Sequence, residues 1–126
     1  MMPAGKYYVG DLCYVMTDAE WDEMCGLFFL GRNDHGCNEG EFLLKDGRRV
    51  ANYNTKYGDG RYESNMWTDH PVDSGGIGCI LVDDIRKDDI DNLRDFGAVM
   101  NFPVDFVTGK EDGVIQFDRV LIDTNL

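Results

Sequence analysis

Aspartates and glycines at turn positions divide this chain into short runs, and that spacing limits what it can fold into. They fall at Gly10-Asp11, Asp46-Gly47, Gly58-Asp59-Gly60, Asp73-Ser74-Gly75-Gly76 and Gly109–Gly113. Glycine turns the backbone where a side chain would clash, and aspartate beside it caps the turn or faces a ligand. Parallel strands need crossovers of a dozen residues or more, which these short connections do not supply. The expected fold is therefore an α+β domain. It has a mainly antiparallel sheet of about seven strands, barrel-like in one variant, and two short helices.

The runs between the turns carry strand signals. Lys6–Val15 is rich in aromatic and β-branched residues, with a bend expected at Gly10-Asp11. Asp46-Gly47 between two alternating segments reads as a hairpin with a type I′ turn. Residues 57–70 read as a loop or a second hairpin, and Ile77–Val82 as a buried central strand. Ala98–Phe102 and Asp105–Val107 read as strands broken at Pro103, and Val114–Asp123 as a closing strand. The first helix opens at a capping box, Thr17 with Glu20 three residues on, and Met16 before it can pack on Trp21. Trp21, Met24, Cys25 and Phe28 then fall on one helical face, which makes Trp21 a core anchor, and Gly31 is a plausible stop. Arg32–Gly40 reads as a loop. A second short helix is expected from Asp88 or Asp89, with Ile90, Leu93 and Phe96 inward.

The chain of 126 residues fits one domain, residues 1–126. With 43% hydrophobic and 29% charged residues it reads as globular, and no apolar run approaches the roughly 18 residues that span a bilayer. The start, Met1–Lys6, lacks the hydrophobic core of a secretion signal, so a cytoplasmic location is expected and membrane association is not. Cys13, Cys25, Cys37 and Cys79 form no C-x-x-C pair and are expected as free thiols. The net charge of -12 repels phosphate backbones, so direct nucleic-acid binding is not expected. An acidic mimic of nucleic acid stays open as an alternative.

Several segments in order, Gly5–Val15, Asp46–Arg49, Thr55–Gly60, Val72–Gly78 and Gly113–Phe117, resemble a group of small proteins widespread in bacteriophage and other viral genomes. That resemblance implies a viral accessory protein acting in the host cytoplasm, and it lends no catalytic residue.

No constellation in the sequence meets the requirements of catalysis. Asp73-Ser74-Gly75-Gly76 resembles a serine-protease nucleophile segment, with His35 as the matching base, but the chain is too short for that family's two barrels. A reactive thiol at Cys13 or Cys25 would need a base, and only His35 and His70 exist. No cofactor or metal signature is present; a zinc site at His35 and Cys37 lacks the usual spacing. The leading expectation is a protein that binds a cellular protein or small ligand between Tyr57 and Gly78. Its candidate ligand-binding residues are Asp11, Tyr57, Asp59, Tyr62, Trp67, Asp73 and Ser74, with the aromatics lining a cleft. The alternative is a small hydrolase built on Asp59, His70 and Asp73, with or without a metal.

Overall fold

The structure, a computed structural model, describes residues 1–29 and 39–125, with the backbone alone for Phe28 and Phe29. The expected Gly31 stop, the inward Phe28 side chain and the His35–Cys37 pair lie outside the described residues. Among the described residues there are ten strands: β1 (Gly5–Gly10), β2 (Gly40–Leu43), β3 (Arg49–Asn54), β4 (Gly60–Glu63), β5 (Asp69–Val72), β6 (Gly76–Leu81), β7 (Gly97–Phe102), β8 (Thr108–Glu111), β9 (Val114–Phe117) and β10 (Val120–Asp123). The described residues hold one α-helix, α1 (Asp18–Phe29), between β1 and β2. All the strand pairs are antiparallel. They form three open sheets, β2-β3-β6-β1-β7, β10-β9-β8 and the ribbon β4-β5, rather than one sheet of seven strands or a closed barrel.

Period-two alternation in the large sheet feeds two cores. Tyr7 and Val9 of β1 join Ala51, Tyr53, Ile77 and Cys79 on one face, covered by Ile115, Phe117 and Ile122 from the small sheet and by Tyr62 and Val72 from the ribbon. Tyr8, Val50 and Ile80 face the other way, onto Met24 of α1 and onto Leu12, Val15 and Met16. β6 is the middle strand and is buried over five of its six residues, as its apolar run predicts.

Three local expectations are corrected. β1 ends at Gly10, and Leu12–Tyr14 form a 3-10 turn because the Asp11 side chain caps it. The Asp46-Gly47 loop is longer than a type I′ turn. Leu44 N–H donates to the Arg48 carbonyl and Gly47 N–H to the Leu44 carbonyl, and Gly47 alone takes positive φ, as in a three-residue loop closed by a glycine. The type I′ geometry occurs instead at Asp112-Gly113, where both residues have positive φ between Glu111 and Val114. The stretch 114–123 is two strands, since Asp118 at φ 55° turns the chain and pairs Val120 with Phe117.

The second helix is absent. Residues 85–92 run irregularly to a single 3-10 turn, Leu93–Asp95. Aspartates and asparagine hydrogen-bond locally in competition with a helix, and Asn92 does so by accepting from the Arg94 N–H. Ile90, Leu93 and Phe96 nevertheless pack inward, on the second core.

The capping box forms as the sequence predicts: the Thr17 N–H donates to Glu20 and the Glu20 N–H to the Thr17 hydroxyl. Trp21 is only half-buried, whereas Met24 is fully buried, so the core anchor of α1 is Met24. We expect Met24→Ala to cost about 3 kcal/mol and to exceed the cost of Trp21→Ala. Urea denaturation of the two variants tests this; a larger loss for Trp21→Ala would refute it.

Candidate functional site

Residue Asp11 organises the best-defined polar cluster. Its carboxylate is 0% exposed and accepts four hydrogen bonds. They come from the N–H groups of Cys13 (3.0 Å), Asp73 (2.7 Å) and Ser74 (2.7 Å), and from the Ser74 hydroxyl (2.6 Å). Close packing sets Asp11 in place. A Cβ on Gly78 of β6 would lie 2.1 Å from the Ala51 carbonyl oxygen and 2.8 Å from Leu12 Cδ1, so only glycine lets the 3-10 turn sit this low on the sheet. Tyr14, on the same turn, donates its hydroxyl to Asp73 at 2.6 Å.

Among the described residues no cation pairs with Asp11, so its charge is met by oriented N–H and O–H dipoles. Neither neighbouring acidic group is shifted toward its ionised form. Burial and then the adjacent Asp11 push the Cys13 thiol far up. Burial and then the hydrogen bond to Asp73 do the same to the Tyr14 phenol. A catalytic thiolate requires the opposite shift. Cys13, Cys25 and Cys79 are free thiols, and Cys37 lies outside the described residues.

Of the residues predicted for the site, the structure brings Asp11, Asp73 and Ser74 together. Tyr62 is a core residue whose hydroxyl donates to the Gly58 carbonyl. Tyr57 is 60% exposed with the Lys56 ammonium 5.6 Å from its ring centre, and Asp59 is exposed nearby. Trp67 stands at the far tip of the ribbon, fully in solvent. The three aromatics therefore line no common cleft.

Position 70 is enclosed, with both ring nitrogens hydrogen-bonded. His70 is 0% exposed; its Nδ1 lies 3.1 Å from the Val9 carbonyl and its Nε2 2.7 Å from the Thr68 hydroxyl. A carbonyl only accepts, so Nδ1 carries the proton and Nε2 accepts from Thr68. Thr68 in turn pairs with the Ser64 hydroxyl. Both ring nitrogens are thus occupied, and burial holds the pKa down at about 4. The unfolded chain binds this proton near pH 6.5 and the folded one near 4. The histidine contribution is therefore complete above pH 6.5 and is lost as pH falls toward 4, on the order of 3 kcal/mol. An NMR titration should show one imidazole with a midpoint near 4; a midpoint near 6.5 for both histidines would contradict it. No three His, Cys, Asp or Glu side chains among the described residues converge to hold a metal, so Asp59, Asp69, His70 and Asp73 form no ligand set.

Beside the Asp11 cluster lies a pocket of about 110 Å³, which the sequence did not reveal. Trp21, Met24 and Cys25 of α1 form its apolar side, and Asn52, Ser74 and Gly76 its polar side. Asn52 sits mid-strand on β3 and is buried, and its side-chain oxygen is the one buried polar side-chain atom without a hydrogen-bond partner among the described residues. Gly76 makes room for it: a Cβ there would stand 3.2 Å from Oδ1 and 3.3 Å from Nδ2. The only sequence signal was an asparagine inside an apolar strand pattern, opposite the glycine-rich turn.

A larger, open cleft of about 290 Å³ lies between β5 and β7, flanked by Arg61 and Arg94. Arg61 already pairs with Asp69 there, and no buried polar group is left unsatisfied.

No family model matches the chain, and no curated protein or solved structure matches it. Among the described residues no helix is long and apolar enough to cross a membrane.

Proposed function

We propose that this is a binding protein, and that its small ligand, or a small group of a larger one, sits between α1 and the Asp73–Gly76 turn. The supporting observation is the Asn52 Oδ1 acceptor, buried without a partner at the wall of a pocket. A buried polar group left unpaired costs about 1–3 kcal/mol, a cost that a donor from a ligand removes. The pocket dimensions suit a group smaller than benzene, for which a cavity of about 150 Å³ serves. The complementary ligand therefore has an N–H donor for Asn52 and a flat apolar face for Trp21 and Met24, as in a five-membered N–H heterocycle or a primary amide. Asp11 holds the opposite rim rigid. The viral accessory role is carried by the sequence resemblance, and it accords with binding rather than catalysis.

Pyrazole and acetamide are suitable probes. Titration followed by NMR should shift the Asn52 side-chain amide signals in the parent protein, and Asn52→Ala should abolish the neighbouring shifts at Gly76 and Met24. The reading is overturned if neither probe moves any resonance of the pocket, or if Asn52→Ala leaves the response unchanged.

A further inference from the structure

The tip of the β4-β5 ribbon shows an arrangement that folding alone does not explain. Trp67 is 92% exposed and takes φ 63°, a left-handed conformation costly for a bulky side chain. The turn around it is held on every side. The Ser64 N–H donates to the Thr68 carbonyl at 2.9 Å, and the Ser64 hydroxyl oxygen accepts from the N–H groups of Met66 (3.0 Å) and Thr68 (3.3 Å). Asn65 ties the turn to β10: its N–H reaches the Leu121 carbonyl, its Oδ1 accepts from the Leu121 N–H, and its Nδ2 reaches the Arg119 carbonyl. Thr68 connects it to buried His70. The strain is thus overdetermined by its surroundings, and the indole is presented rather than left loose. Half-exposed Met66 and Leu121 extend the apolar surface.

Charge supplies the second observation. Directly behind the tip, Glu63 on β4 and Asp69 on β5 are cross-strand partners, both exposed. Like charges in that register repel. Arg61 neutralises Asp69, and no ion pair of Glu63 is present among the described residues. The whole chain carries -12. An indole face attracts cations, and most strongly when the pair is shielded from water.

We propose that this tip is a docking surface for a basic segment of a partner protein, with a lysine or arginine side chain over the Trp67 ring and beside the Glu63 carboxylate. The surface stands on residues separate from the Asn52 pocket, and either can fail without the other.

A synthetic arginine–glycine peptide carrying four arginines serves as the probe, titrated by calorimetry at about 150 mM salt. Trp67→Ala, which leaves the net charge unchanged, should weaken binding about tenfold, and Glu63→Gln should weaken it several-fold. Trp67→Gly should lose binding equally while raising the melting temperature, because glycine relieves the positive φ. That opposite movement separates a presenting residue from a structural one. In a Trp21→Phe background, where Trp67 is the sole tryptophan, its fluorescence should respond to the peptide. Equal affinity of the parent and Trp67→Ala would reduce the interaction to nonspecific attraction and overturn the proposal. So would failure to bind the peptide, or binding only to zwitterionic phosphatidylcholine vesicles.

Discussion

Asp11→Ala is expected to destabilise the protein by about 4 kcal/mol, more than any other single change to a polar residue in the Asp73–Gly76 region. The substitution removes the common acceptor of four donors, two of them backbone N–H groups of the Asp73-Ser74 turn. Hydrogen bonds to a charged acceptor contribute about 1.5–3 kcal/mol each, and water entering the exposed side of the turn recovers part of that sum. Asp11→Asn should rescue little, because its amide NH₂ would point at N–H donors where a second acceptor oxygen is needed. Asp73 makes the contrast: it is exposed, and its carboxylate receives the Tyr14 hydroxyl. Asp73→Ala should therefore cost about 1 kcal/mol or less, and Asp73→Asn less still. Urea denaturation of the four variants checks the ranking. An Asp11→Ala midpoint close to that of the parent would show that the turn keeps its shape unaided.

Arg48→Met is expected to cost about 3–5 kcal/mol, because it leaves a buried carboxylate without its cation. Arg48 and Glu20 have side chains only 10% and 9% exposed. The guanidinium joins three elements: it pairs with Glu20 of α1 and with Asp46 of the hairpin loop, and it donates to the Asp84 carbonyl at 2.9 Å. Burial raises the Glu20 pKa, but the bonds from Thr17 and Arg48 outweigh it and hold the carboxyl below its ordinary value of 4.5. Its stabilisation is therefore present above that value and is lost as pH falls below it. Glu20→Gln keeps the capping box while removing the charge. The double variant Glu20→Gln/Arg48→Met should consequently be more stable than Arg48→Met alone. A double variant that is less stable would show that the cost lies in lost arginine packing instead.

What was legible in the sequence were features decided within a few residues. The capping box needs only Thr17 and Glu20, and the apolar run at Ile77 is enough to mark a central strand. The Asp-Gly signal was sound as chemistry, but the chain holds three such pairs and loop length selects which forms the type I′ turn. Asp112-Gly113 joins strands that meet two residues apart, and Asp46-Gly47 does not. The helix expected at Asp88–Phe96 failed because inward spacing of Ile90, Leu93 and Phe96 is equally served by an irregular segment laid on a core.

The candidate site was half legible. Aspartate beside glycine marked Asp11 and Asp73, yet nothing local shows that Asp11 grips a turn sixty residues away. Tyr57, Asp59 and Tyr62 lay near the right glycines but follow their own contacts. Asn52 escaped notice because its meaning depends on the absence of a partner, which only three-dimensional packing reveals.

The position of β1 in the large sheet has a consequence for the life of the chain on the ribosome. Its two neighbours, β6 and β7, are made some seventy and ninety residues after it. Until then Tyr7, Tyr8 and Val9 have no sheet to join, and pairing across such distances is slow. The chain through β7 must therefore leave the exit tunnel before the large sheet can close, and in that interval the aromatic strand β1 is an unpaired edge open to chaperones or to another nascent copy.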